Sequence, residues 1–490
     1  MMDMSEIFVS LARRPALWTA LAVATLVSAC ATPGPDRQPL AQVGPEAVGL
    51  QPGVGSPAVP EQWWQSLGDE QLNALVELAL KDHPSLAVAR ARAARGLALA
   101  DLSRAASGPQ AGLDLEVTRQ RYSANGLIPE PIGGNYWNSG TLQATLSWEP
   151  DLFGRHDADL QAALGQARAA EADSATARLA LATQVARSYV GLARLIAQHE
   201  VTQRTLAQRE EMLRLTRQRV DAGLDTQVEL VQSEGGLPDA RTQLEQLAEQ
   251  ILLARHQLAA LTAQAPLALD ALSPRLAGLS AQELPAQLNA DLLGRRPDVV
   301  AARWRAEAAT QDVSSARAQF YPNVNLSAFA GLSALGLDKF IDIGSRQMGV
   351  GPAIRLPLFD GGRLRAQLGT RRADLDAAIA QYNGAVLDAV REVGDALGSL
   401  PSLARQQQQQ ALAQASAERA YALALQRYRA GLSPYLVVLN TETQLLGQRR
   451  LAVDLQARRL DTQLQLMRSL GGGWQDARLT TPPQVALSAR

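Results

Sequence analysis

Apolar and polar residues alternate strictly in a few short stretches of this chain and recur at helical spacing almost everywhere else. In residues 141–148, Leu142, Ala144, Leu146 and Trp148 share one face, with Thr141, Gln143, Thr145 and Ser147 on the other. Residues 323–332 set Val324, Leu326, Ala328, Ala330 and Leu332 against Asn323, Asn325, Ser327 and Phe329. Residues 347–358 set Met348, Val350, Ile354, Leu356 and Leu358 against Gln347, Gly349, Ala353 and Arg355. A less regular run, about 112–122, puts Leu113, Leu115 and Val117 on one side. A period of two predicts four strands. It fits a half-buried soluble sheet and equally a membrane barrel with its apolar side in lipid.

The helical stretches are long. Residues 155–222 contain no Pro, and residues 363–430 contain only Pro401. At 1.5 Å per residue each would reach ~100 Å. Leu364, Leu368, Leu375, Ile379, Tyr382, Val386, Val390, Val393 and Leu397 advance in steps of three, four or seven, as in a coiled coil, and Leu181, Val185, Tyr189, Leu192 and Ile196 do the same. Gly223 and Gly431 predict the turns that reverse each helix. Return helices are expected over about 226–265 and 434–470, the first with a break or kink at Gly235, Gly236 and Pro238.

These elements occur twice. Pro84 and Pro297, like Pro109 and Pro322, are 213 residues apart; the Gly154-Arg155 and Gly362-Arg363 pairs, like Gly223 and Gly431, are 208 apart. One change in loop length accounts for the difference. Four matches in register predict a tandem repeat over residues 63–270 and 271–473, each unit a helix, a strand hairpin and a long helical hairpin. Residues 474–490, and the Gly471-Gly472-Gly473 run before them, read as a flexible tail.

The N-terminus is an address. Arg13 and Arg14 precede an apolar stretch over residues 16–29 that is too short to span a bilayer comfortably. Val27-Ser28-Ala29-Cys30 then matches a bacterial lipobox, and Cys30 is the only Cys in the chain. Residues 1–29 are therefore expected to be a lipoprotein signal peptide. Cys30 is expected to carry a covalent lipid, and residues 30–62, rich in Pro, to form an extended tether.

Composition narrows the function. With 47 Lys+Arg against 48 Asp+Glu the net charge is −1, which excludes a typical nucleic-acid partner. Aromatic residues make up 4%, so long thin helices are favoured over a thick core. The four His are scattered, and no HExxH, GxSxG or phosphate loop is present, so no enzyme, metal site or cofactor beyond the lipid is expected. His156, with Asp157 and Asp159, reads as a solvated helix start. No later segment has the ~18 apolar residues of a transmembrane helix, so any membrane crossing must use strands. Four strands cannot close a barrel. An open edge in hydrocarbon strands its backbone groups, so copies must share one barrel of eight or twelve strands.

The segments WWQSLGDEQLNALVELAL, LLGRRPDVVAAR, ARAQFYPNVNLSAFAGL, LPLFDGGR and RYRAGLSPYLVVLN resemble the outer-membrane efflux protein family of TolC type, within it the lipid-anchored NodT-like branch. The resemblance covers about residues 60–473. It implies an α+β membrane protein: a homotrimer with a shared twelve-stranded transmembrane β-barrel in the Gram-negative outer membrane and an α-helical coiled-coil barrel through the periplasm. It also implies a passive efflux conduit, energised by an inner-membrane RND-type pump through a periplasmic adaptor. The tips would then meet the adaptor and close the tunnel, through Arg219, Asp221, Gly223, Asp225, Arg427, Arg429 and Gly431. Family members commonly carry an acidic residue nine positions after the second tip Gly. Here Asn440 stands there, Gln232 is its counterpart in the first repeat, and Val437 and Glu229 complete the candidate constriction. Glu229 and Glu442 are the nearby carboxylates that could substitute, or the gate rests on packing and neutral hydrogen bonds. Arg296-Pro297-Asp298 reads as structural, a helix start with an early carboxylate. The alternative is a coiled-coil periplasmic lipoprotein, a spacer or adaptor whose sheet never enters a bilayer.

Overall fold

The computed structural model describes residues 33, 35, 37–49, 59–280 and 292–476. Cys30, the signal peptide and most of the tail lie outside them. Helices α1 (Glu70–Asp82) and α2 (Pro84–Ala106) lead into strands β1 (Gln110–Arg121) and β2 (Tyr136–Trp148), then helices α3 (Arg155–Asp221) and α4 (Gln227–Leu261). The order recurs as α5 (Pro297–Ala318), β3 (Asn323–Leu335), β4 (Arg346–Arg355), α6 (Arg363–Arg429) and α7 (Tyr435–Ser469). The described residues pack as two units, one falling within residues 1–42, 93–169 and 302–382, the other within 43–92, 170–301 and 383–490. Both long helices, α3 and α6, contribute to each.

The first unit carries one antiparallel sheet in the order β1-β2-β3-β4, so β1 and β4 are free edges. Its register places all four alternating runs on the same face. Leu113, Ala144, Ala330 and Met348 lie side by side across the sheet, as do Ala111, Leu146, Ala328 and Val350. The opposite face carries Asp114, Gln143, Gly331 and Gln347 in one row and Glu116, Thr141 and Ser333 in the next. The apolar face is not covered by the chain's own helices: Leu113 is 72% exposed, Met348 75% and Val350 87%. An apolar sheet face this exposed marks contact with a membrane or a partner. Helix packing in this unit buries Val313, Phe320, Leu364, Leu368, Leu375 and Ile379. Among the described residues, no helix is long and apolar enough to cross a membrane.

An Asp three or four positions ahead of each long helix accepts from a free amide of its first turn. Asp151 accepts from the Asp157 amide at 2.8 Å, and Asp360 accepts from the Leu364 amide at 2.8 Å. His156 is not solvated: it is buried, with Nε2 3.3 Å from Glu149.

The described part of the tether is held against α6. Within the first unit the Leu40 amide donates to Asp376 Oδ1 at 3.0 Å, and within the second the Val43 amide donates to Asn383 Oδ1 at 2.9 Å. A Pro-rich segment keeps its amides available, and two polar side chains seven residues apart on α6 take them up.

The core of the second unit gathers Trp63 and Trp64, packed edge to face, with Leu72, Val76, Val185, Tyr189, Leu192, Leu258, Leu460 and Leu464. The periodic stripe read from α3 and α6 is largely what is buried. Gly471, Gly472 and Gly473 are built into this unit rather than being a loose tail. All have positive φ, and a Cβ on Gly471 would sit 2.0 Å from the Arg295 carbonyl oxygen. Of the break or kink expected in α4, a break does not occur: the helix runs through Pro238. Arg209 on α3 donates to the Gly236 carbonyl at 2.8 Å, and Leu237 and Ala240 are buried, so tertiary packing outweighs the local helix penalty.

Candidate functional site

The two hairpin tips, both in the second unit, end their helices identically. At the first, the Gly223 amide donates to Val220 O at 2.9 Å and the Leu224 amide to Arg219 O at 2.8 Å. At the second, the Gly431 amide donates to Tyr428 O at 2.9 Å and the Leu432 amide to Arg427 O at 2.9 Å. Each is a Schellman motif around a left-handed glycine, with φ of 69° at Gly223 and 73° at Gly431.

One network ties the tips together. Arg219 donates to both carboxylate oxygens of Asp225, at 2.9 and 3.2 Å. The hydroxyl of Tyr428, on the other hairpin, donates to Asp225 Oδ2 at 2.6 Å. That leaves Thr216 as the donor to Tyr428, at 3.0 Å. The Arg219 guanidinium also lies over the Tyr428 ring, 4.8 Å from its centre. Tyr428 is fully buried, and the side chains of Arg219 and Asp225 are only 12% and 10% exposed. Burial pushes the Asp225 carboxyl upward, but the hydrogen bonds from Arg219 and Tyr428 outweigh it, and the group is held below its ordinary value. Burial first, and then the bond to Asp225, push the Tyr428 hydroxyl up to about 12.

Behind this network Arg209, its side chain 11% exposed, donates to the buried Glu442 at 2.9 Å, beside Tyr421, Tyr435 and Val438. Glu442 is therefore a buried ion-pair partner and not an exposed carboxylate. Burial raises it, although Arg209 pulls the other way. Glu229 is committed too. It accepts from the Thr226 hydroxyl and, at 3.0 Å, from the Thr226 amide, closing a capping box at the start of α4. The hydrogen bond from Thr226 holds its carboxyl low.

The remaining candidates are exposed: Asp221, Arg427, Gln232, Val437 and Asn440. Arg429 makes only a surface pair with Glu211 at 3.0 Å. Of the expected tip residues, the structure thus joins Arg219 and Asp225. Tyr428, Thr216 and Arg209, which the sequence reading passed over, complete the buried arrangement. Among the described residues no grouping of His, Cys, Asp and Glu could hold a metal ion.

A sheet with an exposed apolar face and paired helical hairpins invites comparison with known proteins. The sequence profile described as outer membrane efflux protein matches residues 75–264 and 288–472. The chain belongs to the outer membrane efflux protein family. MdtQ of Escherichia coli, named a multidrug resistance outer membrane protein, is 32% identical over 460 residues, covering 92% of this chain and 96% of its own. MdtP of Escherichia coli, also named a multidrug resistance outer membrane protein, is 33% identical over 473 residues, covering 94% and 96%. Among solved structures, the outer membrane protein VceC from Vibrio cholerae superposes with a TM-score of 0.80 at 37% identity, over 84% of this chain and 98% of that one. The chain is accordingly a channel component of efflux systems in the Gram-negative outer membrane, a passive conduit and not an enzyme. Channels of this family work with adaptor proteins and inner-membrane pumps in tripartite systems.

Proposed function

We propose that three copies of this chain share one twelve-stranded barrel, with their helices enclosing a periplasmic tunnel that the tips close. Acylation at Cys30 delivers the protein to the membrane and helps hold it there alongside the barrel. An RND-type pump supplies the energy through an adaptor that meets the tips. The repeat boundaries at 63–270 and 271–473 belong to this reading. The cargo, by the names of the relatives, includes drugs.

The observation that carries the proposal is the sheet: an apolar face turned outward and two unpaired edges, β1 and β4. Both edges need partners in hydrocarbon, and the edges of neighbouring copies supply them. Cysteine pairs test this, one at 113, 115 or 117 and one at 346, 348 or 350 of the same chain. Oxidation in membranes should give dimers and trimers and nothing larger. A ladder that stops at dimers would mean eight strands, and the absence of any cross-link would end the shared-barrel reading.

With Glu442 paired and Glu229 capping a helix, the constriction rests on neutral side chains, Gln232, Val437 and Asn440. Asn440→Asp should therefore add cation preference and divalent block in single-channel recordings. Unchanged selectivity would remove Asn440 from the constriction.

A further inference from the structure

The outward face of the sheet changes character at one end. Past the apolar rows, the same face of β1 carries Arg119 and Arg121, which pair in register with Asn138 and Tyr136 of β2. On β4 the same face ends at Arg346, opposite Leu332. All three arginines are exposed. Arg119 lies 6.0 Å from the centre of the Tyr136 ring. None of the three pairs with an acid among the described residues, although Glu130, Asp338 and Asp342 lie in the loops at this end. The carboxylates of β1, Asp114 and Glu116, point to the opposite face. Cations therefore rim the apolar band outside, and anions lie inside.

The helices join the sheet at its other end, through Gln110, Trp148, Asn323 and Arg355, so the arginine end is the one remote from the periplasm. Arg119 and Arg121 sit on one free edge strand and Arg346 on the other. In the sheet Arg346 lies in the row of Leu115, Leu142 and Leu332, and in a shared barrel β4 of one copy lies beside β1 of the next, which puts the three arginines on adjacent strands at every seam.

We propose that this rim, resting on the shared-barrel reading, binds the phosphate groups of the glycolipid in the outer leaflet. Guanidinium forks match phosphate oxygens bidentately, and the neighbouring apolar rows accept the acyl chains. Each site is completed only by two copies, so the lipid also clasps the oligomer.

The test uses the purified full-length oligomer. It is titrated with bisphosphorylated lipid A, with the same lipid dephosphorylated, and with phosphatidylglycerol, and bound lipid is counted by native mass spectrometry. Lipid A should bind at least about tenfold more tightly than either of the others, the scale of one lost charged hydrogen bond. Arg119→Gln, Arg121→Gln and Arg346→Gln combined should abolish that preference, whereas Arg104→Gln, on α2, should not. Equal binding of the two lipid A forms overturns the proposal without any variant. Equal binding of phosphatidylglycerol overturns the choice of glycolipid, and a triple variant that keeps the preference overturns the assignment of the residues. The β1–β4 cross-links separate the two levels: if they form and the lipid preference fails, only the rim is wrong; if they do not form, the barrel reading falls first.

Discussion

Asp225→Ala should open the closed tip: single-channel conductance in planar bilayers rises several-fold and thermal stability falls. The substitution leaves the Arg219 guanidinium, 12% exposed, without its anion and the Tyr428 hydroxyl without its acceptor. Breaking a buried pair in this way costs about 3 kcal/mol. Tyr428→Phe removes two hydrogen bonds, the one to Asp225 and the one from Thr216, leaves the Arg219–Asp225 pair intact and should cost about 2 kcal/mol. Conductance should follow the same order. The pH dependence has a definite sign. A carboxyl held below its ordinary value of 3.8 contributes its full stabilisation above that value and loses it as pH falls through the lower folded value. Conductance should stay flat from neutral pH down to about 3.8 and climb only below it. A climb already in mildly acidic solution would assign the gate to another group.

Arg296→Ala should be the most destabilising single change outside the tips. The guanidinium, 5% exposed, donates to both oxygens of Asp298 at 3.1 and 2.6 Å, to Glu392 at 2.9 Å and to the Ser469 carbonyl at 3.4 Å. One side chain thus binds the start of α5, the middle of α6 and the end of α7. Its loss strands two carboxylates and a carbonyl, at a cost of about 3–5 kcal/mol. Arg296→Lys keeps the charge but loses the fork and should recover only part of the loss. Thermal unfolding followed by circular dichroism reads both, with Arg104→Ala, an exposed pair, as the near-neutral control. If Arg296→Ala behaves like that control, the packing of α5 on its neighbours does not depend on this charge.

The local features were legible because local chemistry decides them. Alternation at residues 142–148 and 324–332 announced β2 and β3, and the register joins those runs into one apolar face. Gly223 and Gly431 announced the tips, where only a left-handed residue closes the helix. What joins the tips was not legible. Tyr428 and Asp225 are 203 positions apart, and neither breaks the helical pattern around it. Glu442 read as an available carboxylate because its partner, Arg209, is 233 residues distant. Pro238 and the Gly471-Gly472-Gly473 run misled for a related reason. Their local preference is for a break or disorder, and the packing around them sets the conformation instead. The tether read as extended, and composition records no destination for its amides, which Asp376 and Asn383 provide.

The two tips share a fold yet divide one bolt between them. At positions 208 apart, Arg219 answers to Arg427, but Asp225 answers to Ser433, Thr216 to Ala424 and Val220 to Tyr428. The second tip has no carboxylate of its own, and the Ser433 hydroxyl has no hydrogen-bond partner. Equal tips would give a ring of three chains sixfold equivalence, and all its fastenings would have to yield together. In the proposed trimer, unequal tips would give three bolts, each shot from one kind of hairpin into the other. A protein that drew only one kind of hairpin aside would then release all three.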